Sequence, residues 1–374
     1  MGQSLTLLCL RPKCGEEKPS CKKCTLRDVV CTYPSTSLIW VHREPPSLTD
    51  KEEQGTRDGA SPPQYSLKTQ EEKPSTIKES TLNLDNIDLI IHWFTKTVHT
   101  VNPPTNLAAK EICQTVILEQ ARKHPFLLHG LLALSALHLA DSHSDPEPYT
   151  KIATIHHTQG LELYYSILSN INKENYPASI AFAGITIMYA FGISRPQGTK
   201  PPGIELIDRL SQIFLLSHGW QSVVNAADGL DRGTGTPIFP APHSHTGALP
   251  TATEAAFARL NDLNHGRDTA VYTVAISTLK SVFYDLETDR DNPHIALQWA
   301  HTQPKEFLDL LHQRQNLALV IVGYYCVVLD ALKEVWWLNG WGKNLFGVIL
   351  SNTDPSYRDV LEWPIQMIGF EEGE

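Results

Sequence analysis

Read for its spacing of apolar and polar positions, the chain is helical from about Leu82 onward. Ile87, Ile90, Ile91, Phe94, Val98 and Val101 fall at steps of three and four, which predicts one amphipathic helix. Asp85 stands ahead of them as an N-cap, and Asn102, Pro103 and Pro104 end the pattern. Tyr272, Ile276, Leu279, Phe283 and Leu286 form a second stripe; Leu206, Leu210, Ile213 and Phe214 form a third. Residues 125–140, 178–191 and 317–329 are apolar on nearly every side, as helices in the middle of a large bundle are. Strand-like alternation is scarce, residues 226–250 form a loop rich in Gly and Pro, and no repeat of fixed period occurs. The expected fold class is mainly α. The longest apolar run, Leu317 to Leu329, is thirteen residues. That is short of the roughly 18–20 needed to span a bilayer, so no membrane span is predicted.

The helical pattern does not reach the first eighty residues. Residues 34–81 are rich in Pro, Ser, Thr, Glu and Lys and poor in large apolar groups, so they cannot bury enough surface to offset the entropy of ordering. They read as a disordered linker without a coiled-coil seam. Residues 9–33 are different again: a cysteine-rich, basic element. The expected organisation is therefore a small module at 9–33, a linker at 34–81 and an all-helical regulatory domain at 82–374.

Charge and cysteine usage sharpen this division. The 374-residue chain carries a net charge of −10, so the whole molecule is not a nonspecific binder of nucleic acid. Residues 1–31 nevertheless hold six Lys or Arg against three Asp or Glu, the opposite sign to the remainder. Five of the seven cysteines also lie there, with Cys113 and Cys326 isolated in apolar surroundings. A disulfide scaffold would spread its cysteines, whereas this crowding fits a metal site in a reducing compartment. The short apolar stretch "SLTLLCL" follows no Lys or Arg and does not read as a signal peptide.

Cys14, Cys21, Cys24 and Cys31 are spaced C-x6-C-x2-C-x6-C. Thiolates bind zinc well, and Cys21 and Cys24 reach one metal across a tight turn, so zinc is the expected cofactor. With "EKPSCKKC" and "VVCTYP", this stretch resembles the C-terminal two-thirds of the fungal binuclear zinc cluster (Zn₂Cys₆) DNA-binding domain. The resemblance matches the four cysteines to the family's third through sixth. The family's first pair would fall at positions 4 and 7, which hold Ser4 and Leu7; Cys9 is out of register. The expectation is that the first third of the cluster is missing here through a mis-set first exon, and that the remaining thiolates close around one zinc. In the family, a basic helix ahead of the third cysteine enters the major groove. Arg11 and Lys13 are what remains of it, while Lys18, Lys22, Lys23 and Arg27 are placed for phosphate contacts.

The helical region carries a second resemblance. "HPFLLHGLLALSALHLA", "SQIFLLSHGW", "YYCVVLDALKEVWWLNGWGKNLF" and "WPIQMIGF" are similar, in order, to the C-terminal regulatory domain of the fungal sterol uptake control proteins. The resemblance implies an all-helical bundle that binds a sterol and sets activity. Trp336, Trp337 and Trp341 are the candidate wall of a pocket for a flat apolar ligand, with core packing the competing role. Gly340 and Gly342 shape a turn there or cap a helix.

Other motifs are weaker. The gaps between His124, His129 and His138 do not put all three on one helix face, which favours core or cap roles over metal binding. His243 and His245 sit in a polar loop, and Gly229, Gly233 and Gly235 lack the Lys-Ser/Thr of a phosphate loop. The acidic run Asp285 to Asp291 superficially resembles the magnesium motif of helical isoprenoid-processing enzymes, but no second acidic motif completes it. The reading is a nuclear, non-enzymatic transcription regulator with DNA, an apolar ligand such as a sterol, and transcriptional proteins as partners. Its target genes belong to sterol metabolism or a secondary-metabolite gene cluster. The alternatives are a truncated regulator without specific DNA binding and an isoprenoid-processing enzyme.

Overall fold

The computed structural model describes residues 84–101, 111, 114–196, 203–226 and 248–371. The predicted zinc module at 9–33, the linker at 34–81 and the Gly/Pro-rich segment 227–247 lie outside the described residues. Those described form thirteen α-helices and three short 3-10 turns, with no strand among them. The mainly α expectation holds.

Helices α1 (Leu84–Thr95), α2 (Val116–Lys123), α3 (Pro125–Ser142), α4 (Glu147–Tyr165) and α5 (Tyr176–Ile193) make the first group. The second comprises α6 (Glu205–Ala226), α7 (Thr251–Asp262), α8 (Thr269–Thr288), α9 (Ile295–Thr302), α10 (Lys305–His312), α11 (Asn316–Ala331), α12 (Trp341–Asn352) and α13 (Arg358–Ile368). α3 packs on α1, α2, α4 and α5; α6 packs on α5, α9, α10 and α12; and α11 packs on α8, α12 and α13. α6 thereby joins the two groups.

The uniformly apolar sequences became the central helices. All thirteen residues from Leu317 to Leu329 are buried in α11. α5 is buried from Ala181 through Gly192. It is also the one described helix long and apolar enough to cross a membrane, although 78% of it is buried inside the bundle, as a core helix requires. Its Phe182 ring enters a space that two glycines leave open. A Cβ on Gly130 of α3 or on Gly160 of α4 would stand 2.8 Å from that ring. Phe126 and Tyr164 complete the cluster, at 5.6 and 4.8 Å between ring centroids.

The stripes of α6 and α8 are buried as expected. α1 corrects the reading. Its inward residues are Leu89 and Trp93, whereas Ile87 and Ile91 are 37% and 53% exposed. The polar side of α1 turns inward because it finds partners: Asn86 Oδ1 lies 3.2 Å from His156 Nε2, and His92 packs on His138. The α-helix begins at Leu84 and stops at Thr95, where a 3-10 turn, Thr97–His99, takes over.

Candidate functional site

Trp336, Trp337 and Trp341 fall at the junction between α11 and α12, against the end of α5. The junction is tight for a backbone reason. Gly340 has a φ of +79° as the N-cap of α12, a conformation that glycine adopts without a Cβ penalty. Gly342 lets α12 close on α11, since a Cβ there would come within 2.5 Å of the Asp330 backbone nitrogen.

Within this junction Trp337 and Trp341 are fully buried and Trp336 nearly so. Trp341 Nε1 donates to the Phe191 carbonyl at 3.0 Å, and its ring meets Phe191 edge-on. Trp336 Nε1 donates to Thr100 Oγ1 at 2.9 Å, and its ring stacks on His138. The Trp337 indole N–H is buried with no hydrogen-bond partner among the described residues. Two of the three candidate ligand residues thus have their polar atoms committed to the fold.

Immediately beside the cluster is a cleft of about 290 Å³. Its apolar wall is Leu137 and Ala140 of α3, Pro146 ahead of α4, and Ile193 of α5. Gly192 forms part of the same lining, and a Cβ there would touch both Leu137 and Trp336, so only glycine's bare backbone separates the cleft from the indole. Thr150, Asp141, Arg195 and Arg209 supply the polar lining.

Two arginines play different parts. Arg195 Nη2 pairs with Asp141 Oδ1 at 2.6 Å, and Nη1 donates to the Trp336 carbonyl. It ties the end of α5 to α3 and to the tryptophan junction. Its Nε is buried with no partner among the described residues. Arg209 is exposed on α6 and has no ion pair or hydrogen bond among the described residues. Asp141 neutralises Arg195, and Arg209 adds a solvent-exposed cation to a cleft whose lining is more polar than apolar.

His138 packs between His92 and Trp336, and its Nδ1 shares a hydrogen bond with Thr97 Oγ1 at 3.0 Å. Burial, then the neighbouring His92, pushes its pKa down to about 4 against a smaller opposing pull from Asp141. His129 Nδ1 and His156 Nδ1 lie 3.0 Å apart, one sharing its proton with the other. His124 occupies the N-cap position of α3 without a side-chain capping hydrogen bond. No group of three or more His, Cys, Asp or Glu among the described residues is placed to hold a metal ion. Cys14, Cys21, Cys24 and Cys31, with Arg11, Lys13, Lys18, Lys22 and Lys23, lie outside those residues.

Sequence reasoning passed over Arg195 and Arg209. The available signal was a lone cation directly after the eighteen-residue apolar helix α5, where a buried-end charge requires a partner.

No family model matches the chain. It is 30% identical over 126 residues to Sterol uptake control protein 2 of Candida albicans, a stretch covering 33% of this chain and 17% of that protein. It is 33% identical over 118 residues to Sterol uptake control protein 2 of Saccharomyces cerevisiae, covering 32% of this chain and 12% of that protein. The chain therefore matches less than a fifth of either relative's length, and about a third of its own sequence is similar to fungal sterol uptake control proteins.

Proposed function

We propose that the chain is a transcription regulator of the fungal zinc-cluster type, acting in the nucleus. The observation that carries this reading is the similarity, over a third of the chain, to two sterol uptake control proteins. The helical bundle and the cysteine spacing support it. Four thiolates are a suitable donor set for tetrahedral zinc, so Cys14, Cys21, Cys24 and Cys31 would hold one ion. Arg11, Lys13, Lys18, Lys22 and Lys23 then contact DNA, chiefly its phosphates. The helical domain gates activity by binding an apolar ligand, a sterol being the class the relatives' names point to. The regulated genes serve sterol metabolism or the synthesis of a secondary metabolite.

The test uses the full chain purified with zinc. Elemental analysis is expected to give one zinc per chain, and chromatin immunoprecipitation from a fungal host is expected to recover discrete promoters. Cys21→Ser should abolish both. Zinc-free protein that still occupies the same promoters would sink the metal assignment, and isoprenoid diphosphate consumption would sink the regulator reading. A second reading is favoured by Ser4 and Leu7, which stand where the family's first cysteine pair falls. The groove-reading helix would then be incomplete, and the chain would act through ligand or partner binding; one bound zinc with no promoter occupancy is its signature.

A further inference from the structure

Helix α13 carries a proline, Pro364, in its interior. Proline has no N–H to offer the carbonyl one turn earlier, that of Val360, and its ring crowds the same carbonyl. The missing donor comes from another helix. Tyr324 of α11 is fully buried, and its hydroxyl lies 3.1 Å from the Val360 carbonyl oxygen and 3.1 Å from that of Ala256 in α7. A phenol has one hydrogen to give. Ala256 sits one turn ahead of Leu260 within the α-helix Thr251–Asp262, where the Leu260 N–H serves its carbonyl. Val360 has no such donor, so the need for the hydroxyl is on the α13 side. The close approach of the two helices has a backbone cause. Gly323 stands next to Tyr324, and a Cβ there would come within 2.9 Å of Leu361. The Tyr324 and Trp363 rings lie 5.1 Å apart between centroids.

We propose that Tyr324 and Pro364 form a latch through which the end of α13 opens locally, ahead of the rest of the bundle. A helix without proline is held through its length by its own backbone bonds. α13 depends at its midpoint on one side-chain hydrogen bond from α11, so release of that bond lets it hinge at Pro364. The segment that swings runs from Pro364 past the left-handed C-cap at Gly369 to Phe370. The Phe370 ring meets Phe346 of α12 edge-on at 5.4 Å between centroids, and it lies over Gly347, where a Cβ would stand 3.2 Å from it. Opening of the latch therefore uncovers an apolar face of α12 at Phe346 and Gly347. The device is conformational and does not depend on the regulator reading.

The test is hydrogen–deuterium exchange of the full chain, read on peptides from α7, α11 and α13. In the parent protein α13 should exchange ahead of α11. Tyr324→Phe removes the hydroxyl and keeps the ring. It should speed exchange in α13 by roughly tenfold, the worth of one buried hydrogen bond, and leave α7 within about twofold of the parent. Pro364→Ala returns a backbone donor to the Val360 carbonyl and should slow α13 below the parent's rate. In that background Tyr324→Phe should no longer accelerate α13. Pro364→Ala carries the test by itself if Tyr324→Phe fails to fold. The proposal is overturned by α13 exchanging in step with α11 in the parent, or by Pro364→Ala leaving α13 unchanged. Equal acceleration of α13 by Tyr324→Phe with and without Pro364 would also overturn it.

Discussion

His138 stacks on Trp336 with 5.0 Å between ring centroids and 18° between ring planes, joining α3 to the junction ahead of α12. The contact is built for a neutral imidazole. Burial holds the His138 pKa down at about 4, well below the ordinary 6.5. His157, stacked on Tyr189 at 3.9 Å, is held down to about 3 by burial alone. A histidine with a depressed pKa takes up its proton more readily when unfolded. Stability is therefore full above pH 6.5 and declines as the pH falls from there towards 4. The urea midpoint should decrease across that window, and His138→Gln should make the decrease shallower. A midpoint independent of pH between 6.5 and 4 would contradict this account.

Arg195 and Asp141 form the second test. Asp141→Ala leaves a mostly buried guanidinium with the Trp336 carbonyl as its remaining partner, and should cost about 1–3 kcal/mol, less than a fully buried pair because Asp141 is 27% exposed. Arg195→Met combined with Asp141→Ala removes both charges and should recover part of that loss. Equilibrium unfolding of the two variants decides the matter, and a double variant no more stable than Asp141→Ala would show that the charges are not coupled.

Packing of α12 on α11 predicts a contrast between two glycines. Gly342→Ala drives a Cβ to 2.5 Å from backbone, which cannot move aside like a side chain, and should cost about 1–3 kcal/mol or more. Gly266→Ala meets nothing within 4 Å, and its penalty comes only from a φ of +102°, so it should cost about 1 kcal/mol. Thermal unfolding of the pair should rank Gly342→Ala as the more harmful.

Zinc removal should separate two properties. The described helices contain none of Cys14, Cys21, Cys24 and Cys31. A chelator is expected to abolish DNA binding while leaving the far-ultraviolet helical signal close to that of the untreated protein. Loss of most of that signal on chelation would show that the bundle needs the metal.

Much of the bundle was legible because burial on all sides leaves a simple mark. α3, α5 and α11 are apolar all round and lie at the centre; α6 and α8 bury the stripes their spacing predicts. α1 was misread for an equally physical reason. A stripe method rewards Ile87 and Ile91 and penalises Asn86 and His92, yet the polar pair has partners across the interface, in His156 and His138, that lie far away in sequence. The cleft was illegible on the same grounds. Arg195 and Arg209 stand on different elements, and only the packing of α3, α4, α5 and α6 brings them to one opening. The three tryptophans were visible as a cluster, but two of their N–H groups are spent on Thr100 and Phe191, which spacing does not disclose.

The hydrogen bond from Trp336 to Thr100 joins residues 236 positions apart. On a ribosome adding roughly 5–20 residues per second, the earlier partner waits on the order of 10–50 s for the later one. Throughout that interval the face of α3 carrying His138 lacks its indole, and the edge of α1 that packs there has only part of its final support. The first group of helices therefore gains this contact only after Trp336, which lies nine-tenths of the way along the 374-residue chain, has been added.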